Sequence, residues 1–461
     1  MLKYFVKKIA FVLVLLVFFS VITSAQDNIS KKIADYVEPY VESKNFGGGI
    51  LVVKDGKTIF EKYYGMANYE LGVPVTAETK FNIASVSKSF TAASILLLQE
   101  RGKLDVTDRV SKFLSDYPNG DSITIHHLLI HSTGIPRIIF FPEYHELNKQ
   151  YYTTAEVVDL FKDKPLAFQP GERSSYSNPN YILLAYLVEK ISEMSFSEFL
   201  YKNIFNPLDM SNTALNIGNN DLILNRADGY EVVGFNEYEN TEYANPSILV
   251  GASSIYTTVT DLNKWMNGLL SGKILNSESL AQMFKTHSGS RGYGWMLPER
   301  SERKVYTLGG WSNNGFVSDL THIPDENLTI IMLSNIEIIT IKEEMESNII
   351  SILLEKDYTP FNLEVKPIDH ELAEKLEGTY KFGDDFYNPG GTMTLVEKDG
   401  YLYEYQKISG RYIGMIQLNE FEFIHRSSWG RVIFRMDENG VVTGLQIYGY
   451  FEAEKLSGST E

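Results

Sequence analysis

The chain has 461 residues, 59 of them acidic and 42 basic, for a formal charge of −17 at pH 7, and it contains no cysteine. An acidic surface of that size argues against nucleic acid and anionic membranes as partners, and the missing thiols exclude disulfides, thiolate nucleophiles and Cys-ligated zinc. With 44% hydrophobic and 13% aromatic residues, stability has to come from a buried core, and the length predicts more than one domain.

Residues 1–25, MLKYFVKKIAFVLVLLVFFSVITSA, set Lys3, Lys7 and Lys8 ahead of an apolar run from Ile9 to Ile22, with small residues up to Ala25. That order predicts a secretory signal peptide, too short in its apolar part to span a bilayer and cut after Ala25. The expected location is secreted or periplasmic, without stable membrane insertion once the signal is removed. Losing its three lysines takes the formal charge from −17 to −20.

Ile33 to Val41 reads as an amphipathic helix. GGGILVVKDGKTIFEKYYG is two strand-like runs around Asp55-Gly56, a hairpin signal. From Ser85 to Arg101 the apolar residues Val86, Phe90, Ala93, Leu97 and Leu98 fall at helical spacing, and Gly102 supplies a stop. A middle section alternates helical stretches (155–162, 181–193, 196–203) with Pro and Gly loops. Strand-like runs return near 305–308, 315–322 and 328–334, before a helical stretch at about 341–355. Beyond a polar, proline-bearing segment the pattern becomes almost uniformly period two, with turns at Asp399-Gly400 and Asn439-Gly440. The expected organisation is a catalytic region at 26–357, a linker at 358–369 and a C-terminal all-β barrel or sandwich at 370–461.

Three stretches carry residues fit for chemistry. In FNIASVSKSFTA, Ser85 and Lys88 stand one helical turn apart, so the amine is in reach of the hydroxyl. Serine is a poor nucleophile without a base. A lysine near its ordinary pKa of ~10.4 is protonated and useless as one, and burial among Phe81, Ile83 and Phe90 would lower that value. A helix start adds N–H groups and a field suited to a developing oxyanion. The spacing alone fits an ordinary surface pair equally well, and it recurs at Ser301 and Lys304 in a solvated run. In FQPGERSSYSNPNYILLAYLVEKI, Tyr176 and Asn178 follow a Pro-Gly turn and precede an amphipathic helix. A tyrosinate beside an ammonium is a competent base, and an amide can orient both a lysine and a substrate carbonyl. Tyr-x-Asn also occurs at Tyr117, Tyr201, Tyr238 and Tyr243, so the context distinguishes this copy. In VYTLGGWSNNGFVSDLTHIPDENLTIIMLSN, a strand from Val305 to Leu308 ends in two glycines, a sign of close backbone approach.

Taken in order, and with ITIHHLLIHSTGIP and GASSIYTTVTDLNKWM, these stretches resemble the β-lactamase-related serine hydrolases over about residues 28–355. That group comprises class C β-lactamases, D-alanyl-D-alanine peptidases and esterases of the same fold. The resemblance implies an α/β (α+β) fold: an antiparallel sheet flanked by helices, with a helical insertion. It implies Ser85 as nucleophile, Lys88 as its partner and Tyr176 as base or proton shuttle beside Asn178. The family's third motif, usually Lys-Thr-Gly or His-x-Gly, falls on Leu308, Gly309 and Gly310. The backbone N–H groups of Ser85 and Trp311 would form the oxyanion hole. No cofactor is implied, and the partner is a small-molecule or peptide substrate. Leu308 cannot hold a substrate carboxylate as lysine or histidine would, which points toward esters. The alternatives are a D-amino-acid peptidase or β-lactamase, or a ligand-binding pseudoenzyme. Other signatures fail: GWSNNG misses the nucleophile elbow at Asn314, and His127 and His131 lack the further ligands of a zinc site and read as structural.

Overall fold

The computed structural model describes residues 28–456 apart from 219–221, 301, 362, 385, 387–389 and 408. The expected signal segment and Ser301 of the second Ser-x-x-Lys copy therefore lie outside the described residues. Among the described residues no helix is long and apolar enough to cross a membrane.

Helix α1 (28–42) buries Ile33, Tyr36, Val37 and Tyr40, the single stripe that helical spacing dictates. The next segment forms β1 (Gly48–Lys54) and β2 (Lys57–Tyr64), joined at Asp55 and Gly56, whose φ values of 52° and 71° suit a primed hairpin turn. Three later strands complete one sheet: β3 (Tyr306–Ser312), β4 (Phe316–Ile323) and β5 (Leu328–Ser334), in the order β3-β4-β5-β1-β2. Every neighbouring pair is antiparallel. Strand alternation sends Ile50 and Val52 into a core shared with α1 and α5 (Ile341–Leu353), while Leu51 and Val53 join the core on the other face. This two-sided burial explains the apolar runs 50–53 in β1 and 330–333 in β5.

The second face carries α2 (Ser87–Glu100), α3 (Asn178–Ser192) and α4 (Val259–Leu270). Phe90 of α2 stacks on Trp265 of α4 with ring centres 4.1 Å apart. One expected boundary shifts. The sequence reading ends a strand at Leu308, whereas β3 continues through Gly309 and Gly310, which pair with Asp319 and Ser318 of β4. Glycine weakens a strand when considered alone, but ladder pairing on β4 holds it extended here.

The C-terminal region is a closed antiparallel barrel of eight strands: β6 (Gly378–Phe382), β7 (Thr392–Lys398), β8 (Tyr401–Gln406), β9 (Arg411–Asn419), β10 (Glu422–His425), β11 (Arg431–Met436), β12 (Val442–Ile447) and β13 (Phe451–Lys455). Pairing of β6 with β13 closes it, so it leaves no open sheet edge. The barrel has a core of its own, yet Ile416, Ile424 and Trp429 belong to the core of α1 and α5. Buried Arg426 donates to the carbonyls of Phe235 (2.7 Å) and Lys44 (3.1 Å), and the Trp429 indole donates to Glu344 (3.0 Å).

Candidate active site

Ser85 lies on a 3-10 turn, Ala84–Val86, that leads into α2. Ala84, just before it, has φ +43°, and its N–H donates to Asn82 Oδ1 at 2.6 Å. A left-handed alanine costs of order 1–3 kcal/mol and persists only when its surroundings fix it. Here it turns the chain sharply from the short strand Phe81–Asn82 into the helix, so Ser85 stands on the approach to α2 rather than within it.

Lys88, only 3% exposed, occupies the first turn of α2. Its Nζ donates to Ser85 Oγ (3.1 Å) and to the Ala252 carbonyl (2.8 Å). Phe81, Ile83 and Phe90 are buried as expected. Tyr176 Oη is 2.6 Å from Ser85 Oγ, and Lys88 Nζ sits 4.9 Å from the centre of the Tyr176 ring. Burial holds the Lys88 amine below its ordinary value, against the pull of the neighbouring phenol. Burial alone would raise the Tyr176 phenol, but Lys88, the Ser85 hydrogen bond and Arg137 outweigh it, and the net shift is downward. Lys88 thus lowers the phenol, while the phenol opposes the burial that lowers the amine.

His131, buried and at φ +59°, packs its ring 4.6 Å from that of Tyr176. Its Nδ1 lies 3.1 Å from the Ser177 carbonyl, 3.2 Å from the Ser177 N–H and 3.2 Å from the Asn180 amide nitrogen. Burial, with Arg291 and Lys88 nearby, keeps the ring neutral. It is therefore an uncharged buttress that sets the phenol's position. His127 completes a helix-capping box with Thr124. Asn178 opens α3, but its Oδ1 is buried with no hydrogen-bond partner. The expected bond to Lys88 is not formed, and Asn178 is not among the residues that line the cavity at Ser85.

Strand β3 is the outer strand of the sheet. A Cβ on Gly310 would collide with Ser318 Oγ and the Ile83 carbonyl, so only glycine lets β3 approach the turn that carries Ser85. Thr307 exchanges both backbone bonds with Met296 on the outer side. Strand alternation therefore directs the N–H groups of residues 309 and 311 to that same side, away from β4. The Trp311 side chain is 44% exposed, and its indole donates to Glu337 at 2.9 Å.

Ser85, Lys88, Tyr176, Arg291, Trp295 and Leu308 line a cavity of about 140 Å³. A larger open groove of about 740 Å³ between Gly234 and Arg411 contains none of these groups. Leu308, 7% exposed, presents an apolar wall. Sequence reasoning missed Arg291, whose guanidinium carbon lies 5.8 Å from the Tyr176 ring centre. Among the described residues it pairs with no carboxylate; its Nη1 approaches only Met296 Sδ, at 3.6 Å. A lone arginine in a loop leaves no periodic signal. Folding alone shows that it faces the nucleophile.

The family model described as Beta-lactamase matches residues 33–346. A penicillin-binding protein of Bacillus subtilis (strain 168) is 28% identical over 391 residues, covering 78% of this chain and 84% of that protein. The octameric penicillin-binding protein homologue from Pyrococcus abyssi superposes with a TM-score of 0.63 at 24% identity, over 92% of this chain and 99% of that one. The D-amino acid amidase from Ochrobactrum anthropi SV3 gives a TM-score of 0.63 at 22% identity, over 72% and 99%. At those identities the two structures speak to the fold.

Proposed function

The chain belongs to the Beta-lactamase family of serine hydrolases, and on that premise we propose that it hydrolyses esters or amides through an acyl-enzyme on Ser85. The observation that carries this reading is the 2.6 Å contact of Ser85 Oγ with Tyr176 Oη, with Lys88 Nζ donating to the same oxygen at 3.1 Å. Ser85 Oγ attacks the substrate carbonyl carbon while its proton passes to the Tyr176–Lys88 pair. The new oxyanion lies between the N–H groups of Ser85 and Trp311. Collapse of the tetrahedral intermediate breaks the bond to the leaving group, which takes the proton back from Tyr176. Water then attacks the acyl carbonyl and gives its proton to the same pair, which passes it to Ser85 Oγ as the acyl–oxygen bond breaks and the acid leaves. Residue roles are thus nucleophile for Ser85, proton relay for Lys88 and Tyr176, and substrate contact for Asn178, Leu308, Gly309 and Gly310.

Within this chemistry the apolar wall at Leu308 favours neutral ester donors. Arg291 supports the second reading, a D-amino-acid peptide or lactam substrate, because an unpaired guanidinium in the cavity suits a carboxylate. Export by way of the N-terminal Lys-rich apolar segment is part of the proposal. Incubation with a fluorophosphonate followed by peptide mass spectrometry tests the mechanism. The expected label is on Ser85. A label elsewhere sinks the assignment of Ser85, and no label on a folded protein leaves the pseudoenzyme reading instead. Short-chain p-nitrophenyl esters, a chromogenic cephalosporin and D-alanyl peptides then rank the substrate classes.

A further inference from the structure

We propose that Lys342, behind the sheet and outside the cavity, is a positioning residue for acyl transfer: its ammonium holds and polarises the Gly310–Trp311 peptide so that the Trp311 N–H binds the oxyanion more strongly. The inference rests on the reading of Ser85 as nucleophile with Trp311 N–H in the oxyanion hole.

Lys342 is the second residue of α5. Its Nζ reaches the back of β3 and β4, where it donates to the Ser318 carbonyl at 3.2 Å and the Gly310 carbonyl at 3.4 Å. The glycine at 309 makes this possible, since a Cβ there would stand 2.6 Å from the ammonium. The two adjacent glycines therefore serve opposite faces: Gly310 clears the front for the Ser85 turn, and Gly309 clears the back for Lys342. In an extended strand the C=O and N–H of one peptide point in opposite directions. The Gly310 C=O points toward β4 and the Trp311 N–H of the same peptide points to the open side. A cation at that carbonyl oxygen withdraws electron density from the amide and makes its N–H a better donor.

A purely structural ion pair would explain the lysine differently, and the donor geometry argues against it. Asp319, Glu343 and Glu346 act on the ammonium electrostatically, and Arg300 acts on Asp319. Yet Glu346 takes its ion pair from Arg300 at 2.8 Å. Among the described residues no carboxylate lies within ion-pair distance of Lys342 itself, and its hydrogen bonds go to the two carbonyls. A buried ammonium costs several kcal/mol when its environment does not compensate it. Its placement under the peptide that precedes Trp311 gives it a use that packing does not require.

The test compares wild type with Lys342→Met, Lys342→Arg and the charge-balanced double variant Lys342→Met/Asp319→Asn. For a p-nitrophenyl ester, Lys342→Met should lower kcat by about tenfold or more, less than the 10²- to 10³-fold loss typical of deleting an oxyanion donor, with KM little changed. The arginine variant should recover part of the loss. Infrared spectra of an isotopically labelled acyl group on Ser85 should show the carbonyl stretch moving to higher wavenumber in the methionine variants, a signature of weaker hydrogen bonding that a stability effect would not produce. Folded methionine variants with wild-type kcat and an unmoved stretch overturn the proposal. Failure of both methionine variants to fold also overturns it, by making Lys342 a structural charge. If wild type itself forms no acyl group on Ser85, it is the underlying mechanism that fails.

Discussion

The Tyr176 phenol and the Ser85 hydroxyl, 91 positions apart in the chain, meet at 2.6 Å in a cavity where Lys88 supplies the third member. Such a group acts as a unit, so deleting its parts should not give independent losses. Ser85→Ala should abolish fluorophosphonate labelling, and Lys88→Ala and Tyr176→Phe should each cost orders of magnitude in kcat. The double variant should be little worse than the poorer single variant. Steady-state rates for the four proteins decide this: losses that multiply would mean that Lys88 and Tyr176 do not share a proton path.

The downward shifts of Lys88 and Tyr176 set the sign of the pH response. The relay must lose a proton to act as a base, so kcat/KM should climb with pH and level off on the acid side of the ordinary phenol and amine range, about 10. Lys88→Met removes the cation that holds the phenol down. In the residual activity of that variant the limb should move to higher pH. A limb that stays in place would assign the titration to a group other than Tyr176.

Arg291 makes a prediction about substrates. Arg291→Met should lower kcat/KM for a carboxylate-bearing cephalosporin or D-alanyl peptide about tenfold to hundredfold, the scale of one charged hydrogen bond. A neutral acetate ester should fall much less. Leu308→Lys should narrow the gap between the ester and the anionic substrates. Equal losses on all substrates would show that Arg291 supports the cavity wall without reading charge.

Glu337 accepts from the Trp311 indole, and burial, with Glu231 nearby, pushes its carboxyl up to about 7. Between the ordinary value of 4.5 and about 7 the folded protein keeps a proton that the unfolded chain has released. Stability is therefore complete below that window and is lost as pH rises through it. Glu337→Gln should raise Tm by a few degrees at pH 8 and change it little at pH 4. Parallel melting curves for the two proteins across that range would refute the assignment.

The sequence made some of this legible for identifiable reasons. Ser85 and Lys88 became distinctive only in the ordered set with the later stretches, and Tyr176 because a turn followed by an amphipathic helix set its copy of Tyr-x-Asn apart. Gly309 and Gly310 were visible as a close approach, but not as one serving both faces, since that depends on Lys342 arriving from a helix more than thirty residues later. His131 is buried against Tyr176 and Arg291 lines the same cavity, properties of the folded chain with no local pattern. The period-two C-terminal strands foretold an all-β unit. Alternation gave no sign that Ile416, Ile424 and Trp429 would enter the neighbouring core.

That shared core bears on truncation at Glu364. The residues that would be left uncovered include Phe235, whose ring meets Tyr401 and Tyr403 at 5.3 and 5.2 Å. The shortened chain should melt at lower temperature and expose apolar surface to a hydrophobic dye. A truncated protein with wild-type Tm and full Ser85 labelling would show the barrel to be an independent appendage.

The pairing of β1 with β5, Gly48 opposite Ser334, also imposes an order on biosynthesis. The first hairpin is made early, but its partner strand follows only after nearly three hundred further residues, roughly a quarter of a minute to a minute of translation at 5–20 residues per second. Through that interval Ile50, Leu51, Val52 and Val53 have no partner strand on the β1 side that β5 will occupy. A nascent chain of this length thus carries an unpartnered apolar strand edge for most of its synthesis. Hydrolase activity cannot switch on before the last strands of the sheet have been delivered.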